Sequence, residues 1–324
     1  MPCRAFAYKR WDEQKERKER ALNKQTMQTL VSLTNDFYNK EAQSFSDTRT
    51  RPWDGWAYAM DYLLKHDFPP FDNNKVSVAP TPCEPTPSAQ AHHCDCIDVA
   101  CGNLRFLDFL INYLQNNISY PITNSPSVLS YIGIDKQSAL TQLGMQKLSH
   151  TLTQHACVTI HTTDVLSKLM EEHDPLAELT HTTSLMVCFG FMHHIPSFKL
   201  RQTFLSALCK HVRVGGIIVL SFWCFGNTEQ GRAKAQAQTE EALCALAAQQ
   251  RYTLDVRELE NNDYLLGWKH TQGVMRYAHS FSEQEVFHLI ANTAALKLLT
   301  YWYADGKDKH SNLYVIAQNV TATH

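Results

Sequence analysis

The residues best placed to do chemistry stand at the ends of apolar runs. Ile97-Asp98-Val99 passes into Ala100-Cys101-Gly102-Asn103, where a β-branched stretch gives way to a helical one. At the carboxyl end of a strand in an open parallel sheet, such a turn receives nucleotide-like ligands, because small residues let the ligand approach the backbone. An ordinary strand-to-helix turn would use the glycine equally well. The next run ends in Asp135, an acid able to accept both hydroxyls of a ribose or to cap the helix that follows. Asp164 ends a third run and can take the amino group of a base or cap residues 165–172. His193 and His194 leave a fourth run just after Phe189-Gly190-Phe191, where a histidine pair would face a crevice. Signals at three successive run ends are far more specific than any one of them.

These positions require particular elements behind them. Apolar, β-branched runs at 96–100, 128–135, 157–163, 184–191 and 216–223 alternate with helix-like stretches at 103–115, 137–149, 165–172 and 198–212. Strand and helix in alternation predict an α/β fold with a parallel sheet covered on both faces. An Ala/Gln/Glu-rich segment at 229–250 reads as an inserted helix. Ser282 with Glu285 predicts a capping box opening a helix to about residue 294, and strands near 296–303 and 313–318 close the chain. Residues 68–94 hold six of the 12 prolines, which excludes helix and central strand there. The expected organisation is an N-terminal helical lead over 1–66, a Pro-rich loop over 67–94 and a core domain over 95–320. Within the lead, Glu13 with Arg17 and Glu16 with Arg20 have the spacing of a solvated helix.

Composition bounds the function. The chain has 324 residues, 30 Lys+Arg against 32 Asp+Glu, and 44% hydrophobic residues. It is too apolar for wholesale disorder, and its balance excludes a generally basic nucleic-acid coat while allowing a local patch. Its ten cysteines are scattered through apolar runs rather than arranged as a disulfide framework. With no secretory signal at Met1 and no apolar stretch of membrane-spanning length, the expectation is a cytoplasmic protein without a membrane role. His92-His93-Cys94-Asp95-Cys96 lacks the second half of a four-ligand site, so no metal is expected.

A wider set of motifs narrows the reading. Tyr38, Ala42, Phe45, Thr48-Arg49 and Pro52-Trp53 precede the first run, and His193-His194 is followed by Arg201. Gly215-Gly216 and Trp223 frame the fifth run, and Asp263-Tyr264, Trp268, Arg276-Tyr277, His279 and Phe281 come late. In this pattern the chain resembles the class I S-adenosylmethionine (SAM)-dependent methyltransferases. More narrowly, it is similar to the tRNA wobble-uridine carboxymethyl methyltransferases, including the domain fused to the AlkB-type tRNA hydroxylase. The resemblance spans roughly residues 38–315, excluding the Pro-rich loop and the 229–250 insert.

It implies a Rossmann-like, doubly wound, seven-stranded sheet with an N-terminal helical extension, and SAM as cofactor. The implied cofactor contacts are Asp98, Ala100, Gly102, Asn103, Asp135, Lys136, Asp164, Val165 and Phe189. Arg49, His193 and His194 would be catalytic, and Trp223, Arg276, Tyr277 and His279 would touch the acceptor. The implied partner is tRNA, with a small activating protein as a source of basic surface. Methylation of a small-molecule carboxylate or hydroxyl, and non-catalytic SAM binding, are the alternatives.

Two points follow for the chemistry. A carboxylate acceptor is already ionised at pH 7 and needs cationic donors such as Arg49 and Arg276, whereas a hydroxyl would need His193 or His194 as base. The family usually has glycine at the positions of Ala100 and Leu104. The leucine is expected to crowd the cofactor.

Overall fold

The structure, a computed structural model, describes residues 22–68, 92–117, 129–249, 254, 256–268 and 271–320. The charge run at 9–20 and most of the Pro-rich stretch lie outside the described residues. Five strands run parallel: β1 (His92–Val99), β2 (Leu129–Asp135), β3 (Ala156–Thr162), β4 (His181–Cys188) and β5 (Val212–Trp223). Late in the chain, β8 (Leu296–Ala304) and β9 (Asn312–Asn319) pair antiparallel with each other, and β9 pairs antiparallel with β5. The seven-stranded order is β3-β2-β1-β4-β5-β9-β8, the class I methyltransferase arrangement that the motifs imply. The chain winds outward from β1 to β3, then returns to place β4 on the other side of β1. That reversal opens a crevice above the carboxyl ends of β1 and β4.

Helices α1 (Lys24–Asp47), α2 (Asp54–Lys65), α3 (Arg105–Asn117), α4 (Ser138–His155), α5 (Val165–Met170), α6 (Phe198–Lys210), α7 (Glu229–Gln249) and α8 (Glu283–Ala291) surround the sheet. Central strands carry unbroken apolar runs because both faces are covered: Leu185–Cys188 and Ile217–Leu220 have no exposure. On one face Ile97, Met186 and Ile218 pack with Leu166, Phe204 and Leu289 from α5, α6 and α8. On the other, Cys96, Leu185 and Ile217 pack with Met60, Leu63 and Leu107 from α2 and α3. No described helix is long and apolar enough to cross a membrane.

The sequence reading did not include one element. β6 (Asp263–Trp268) and β7 (Thr271–His279) form a separate antiparallel hairpin. It packs on α1 and α7 through Leu30, Leu33, Leu246, Leu265 and Tyr277. Its strands were hidden because Asp263, Arg276 and His279 are buried charged or polar groups where a pattern search expects apolar ones. The capping residue Ser282 does accept the Glu285 N–H at 3.2 Å, but the Glu285 carboxylate turns to other partners described below.

Helix α3 starts later than the pattern suggests, because residues 100–104 form a turn of left-handed backbone: φ is 63° at Ala100, 55° at Gly102 and 58° at Leu104. The two positions where the family has glycine therefore keep the glycine conformation. The Leu104 side chain is fully buried in the core against α2 and α3 and does not line the crevice, so it does not crowd a cofactor there. Left-handed backbone costs an L-residue about 1–2 kcal/mol. We expect Ala100→Gly to raise stability by about 0.5–1 kcal/mol, since only that strain is relieved. Leu104→Gly should lower it by about 1–3 kcal/mol, because loss of a fully buried leucine outweighs the strain. Urea midpoints measure both, and a stabilising Leu104→Gly would contradict the placement of its side chain.

Candidate active site

The crevice at the switch point is lined from several strand ends by Asp98, Ala100, Gly102, Asn103, Asp135, Lys136, Asp164, Val165, Phe189, His194 and Trp223. Asp135, at the tip of β2, accepts the Gly102 N–H at 2.8 Å and the Gln137 N–H at 2.7 Å. Each carboxylate oxygen thus keeps a lone pair, so a vicinal diol can still donate to both. Burial raises its pKa, with the backbone donors opposing that rise. Asp98 lies deeper, 2% exposed, accepting the Tyr131 hydroxyl at 2.6 Å. Burial pushes its pKa up to about 7 against that hydrogen bond. Asp164 fills its capping role, accepting from Ser167 N at 3.0 Å, and also pairs with Lys136. Burial works against its charge, but these partners hold its pKa below the usual value. The crevice therefore offers acids for hydroxyl and cationic groups, beside the apolar side chains of Ile134, Leu140 and Phe189.

The N-terminal helices close one side. Tyr38 on α1, and Arg49 in the segment between α1 and α2, line the same crevice. Arg49 lies over the ring of Phe45 at 5.0 Å and of Trp268 at 5.9 Å. The Tyr38 hydroxyl meets His194 Nε2 at 3.0 Å, while His194 Nδ1 meets the Tyr277 carbonyl at 2.7 Å. A carbonyl only accepts, so Nδ1 carries the proton and Nε2 accepts from Tyr38. His194 is neutral: burial first, then Arg276, pulls its pKa down to about 3. His193 stacks on Trp223 at 3.7 Å and 11°, with both ring nitrogens buried and unpartnered among the described residues. Burial first, then His194 and Arg276, holds its pKa well below the usual range.

Arg276 is the least satisfied group near the site. It is 5% exposed, and its Nε and Nη1 have no hydrogen-bond partner among the described residues. Its guanidinium lies 4.5 Å from the ring centre of Phe37, 5.3 Å from that of Trp268 and 5.7 Å from that of Trp223. Burial lowers its pKa, with Tyr38 opposing that fall and Arg49 adding to it. Aromatic faces offset part of the desolvation of a guanidinium but do not replace a counter-ion.

Tyr277 and His279 follow Arg276 in the same strand, yet the structure does not bring them to the crevice. Alternation along β7 turns them to another face, into a network around the fully buried Arg201. Arg201 Nη1 contacts Glu260 at 3.0 Å and Glu285 at 3.2 Å, and Nη2 donates to the Tyr277 hydroxyl at 2.9 Å. Tyr277 in turn donates to Asp263 at 2.7 Å. His279 stands between Asp263 at 2.7 Å and Glu285 at 2.9 Å, and two acceptors require both ring nitrogens to be protonated. Burial and Arg201 act against that charge, but the two carboxylates outweigh them and the pKa is raised. Glu260, Asp263 and His279 are close enough to hold a metal, but the Arg201 guanidinium already supplies the cation there.

Of the residues implied for the acceptor, Arg49, His194 and Trp223 line the crevice, while His193 and Arg276 do not. Sequence reasoning gave no site role to Tyr38, Arg105, Trp53 or Trp56, all of which line it. Tyr38 and the segment 48–53 belonged to the motifs that carried the resemblance, which was the available signal.

No protein-family model matches the chain, and no curated protein matches it. Among solved structures, it is similar to a SAM-dependent methyltransferase of Methanosarcina mazei, 14% identical over 72% of this chain and 95% of that one, TM-score 0.44. Another, from Clostridium acetobutylicum, is 9% identical over 88% of this chain and 99% of that one, TM-score 0.47. The magnesium protoporphyrin IX methyltransferase of Synechocystis, with SAM bound, is 11% identical over 93% and 100%, TM-score 0.46. The strand order described above, rather than these overlaps, carries the assignment of the fold.

An uncompensated buried cation destabilises the protein that carries it. We therefore expect Arg276→Met to raise the stability of the ligand-free protein by about 1–3 kcal/mol, as apolar replacement of buried charge does. Denaturant titration at pH 7.5 checks this, and a clear loss of stability would show that Arg276 is already paired.

Proposed function

We propose that the protein is a SAM-dependent methyltransferase whose acceptor is a carboxylate. The observation that carries this is Arg276, a buried guanidinium whose Nε and Nη1 have no partner among the described residues, and which stands off the crevice lining but against Trp223 and near Arg49, both of which line it. A group so placed requires an anion, and a carboxylate accepts two parallel N–H donors from one guanidinium. The residues fit the cofactor as well: Asp135 for the ribose, Asp98 for its cationic end, and Phe189 and Leu140 for its apolar contacts. When bound, SAM supplies a methyl group on a positively charged sulfur. A carboxylate held by Arg49 and Arg276 would need no general base to accept that methyl group, so no residue of the chain would have to move a proton. What the chain must do is align, and alignment alone supplies much of the acceleration.

The hydroxyl alternative has less support. His194 has its free nitrogen occupied by Tyr38 and, like His193, has a depressed pKa, which makes both weak bases. Within the carboxylate reading, the motifs favour the carboxymethyl group of a tRNA wobble uridine. The formal charge of −2 leaves phosphate recognition to local basic patches or to a small activating partner protein.

The bond formed distinguishes the readings. With label in the SAM methyl group, and bulk tRNA or a small-molecule extract as acceptor, a carboxylate product is a methyl ester. Mild alkali should then release the label as methanol, and label that resists alkali would contradict a carboxylate acceptor. Label in tRNA supports the wobble-uridine reading, and label confined to the extract contradicts it.

Cofactor binding should also depend on pH. Asp98 is half protonated near pH 7 in the ligand-free protein and faces a cationic ligand only when ionised. SAM affinity should rise as pH climbs from 6 to 8 and level off above the pKa, by up to about tenfold per unit below it. Asp98→Asn should bind weakly with a flat profile. Calorimetry at three pH values decides, and a pH-independent wild type would contradict the placement of Asp98 against positive charge.

A further inference from the structure

The segment between α1 and α2 carries Arg49, and two side chains from the turn after β1 hold it. Asn103 Nδ2 donates to Ser46 Oγ at 3.1 Å and to the Arg49 carbonyl at 3.3 Å. The carbonyl accepts only, which fixes the orientation of the amide and commits its N–H groups to the last turn of α1 and to this segment. Arg105 Nη1 donates to the Arg51 carbonyl at 2.6 Å, and its guanidinium lies over Trp53 and Trp56 at 5.4 and 5.3 Å. Between the two, Leu104 is buried in the core with φ 58°, which anchors the turn. The same turn lines the crevice, where Gly102 N–H is held by Asp135, so Asn103 and Arg105 touch both the crevice and the Arg49 segment. Asn103 lines the crevice, where the resemblance implies a cofactor contact, and its amide nitrogen is committed to Ser46 and the Arg49 carbonyl.

We infer that Asn103 and Arg105 are positioning residues that couple occupancy of the cofactor crevice to the placement of Arg49, an inference that rests on the methyltransferase reading above. A cofactor that orders the 100–105 turn also orders the segment that presents Arg49 to the acceptor. Arg49 is then in place only when the methyl donor is. Cofactor should bind first, and the acceptor should meet a complete site only afterwards.

The coupling can be read without an acceptor. Trypsin cuts after Arg49, whereas the bond after Arg51 precedes proline. Cleavage at Arg49 is followed with and without S-adenosylhomocysteine, with cleavage after Lys307 in the exposed 305–311 loop as internal reference. In the wild type the ligand should slow cleavage at Arg49 about fivefold or more, the size expected from two hydrogen bonds of ordinary strength. Asn103→Asp keeps the side-chain shape but sets an oxygen against the Arg49 carbonyl, and Arg105→Gln removes the contact with Arg51 and the aromatic stack. At ligand concentrations that calorimetry shows to saturate each protein, both variants should show less than twofold protection.

A looser segment alone would speed cleavage in both states and leave the ratio unchanged. Protection equal to wild type in both variants overturns the inference. So does full protection in Arg105→Gln together with loss of ligand binding in Asn103→Asp, which would make the amide a cofactor contact. Ligand heat without protection in the wild type overturns the coupling alone, whereas no ligand heat at all overturns the methyltransferase reading with it.

Discussion

The acceptor side of the molecule depends on Arg201. This guanidinium has no exposure and joins four parts of the chain: the Ile195 carbonyl, Glu260 before β6, Tyr277 on β7 and Glu285 on α8. Desolvating an arginine is costly, and the cost is met here by carboxylates, a phenol and a carbonyl that have few other places to go. The hairpin is thereby fixed to the sheet domain. The Tyr277 carbonyl then fixes the His194 tautomer, and His194 holds the Tyr38 hydroxyl. A network with no atom in the crevice determines the geometry of one wall.

Two buried arginines on neighbouring layers have opposite circumstances. Arg201 is saturated, with three carboxylates in reach and its pKa raised above the ordinary value. Arg276 has aromatic rings around it and, among the described residues, donors left over. Networks that are fully satisfied rigidify a fold, whereas incomplete ones mark where strain is kept for a ligand. That contrast is the physical basis for reading Arg201 as structural and Arg276 as functional.

Much of this was legible in the sequence. The strand ends with Gly102, Asp135 and Asp164 could be located because ligand sites in open parallel sheets occur at strand termini. The Arg276-Tyr277-x-His279 motif was visible but not its division of labour, because the hairpin was not recognised as strand. Had it been, a period of two would have put residues 277 and 279 on one face and 276 on the other. Leu104 shows the reverse problem. The departure from glycine is plain in the sequence, but residue type does not reveal that the turn keeps φ 58° and sends the side chain into the core. The Arg105 contacts with Trp53 and Trp56 join residues some fifty positions apart, beyond any local pattern.

The central claim is that the acceptor end of the site is built for a negative charge. Its most direct test is calorimetric titration of the S-adenosylhomocysteine-saturated protein with 5-carboxymethyluridine and with the matching carboxamide, which has nearly the same shape and no charge. The account predicts that the acid binds at least about tenfold more tightly, as a charge-assisted contact to arginine requires, and that Arg276→Met removes the difference. Equal binding of acid and amide, or a preference for the amide, would contradict it.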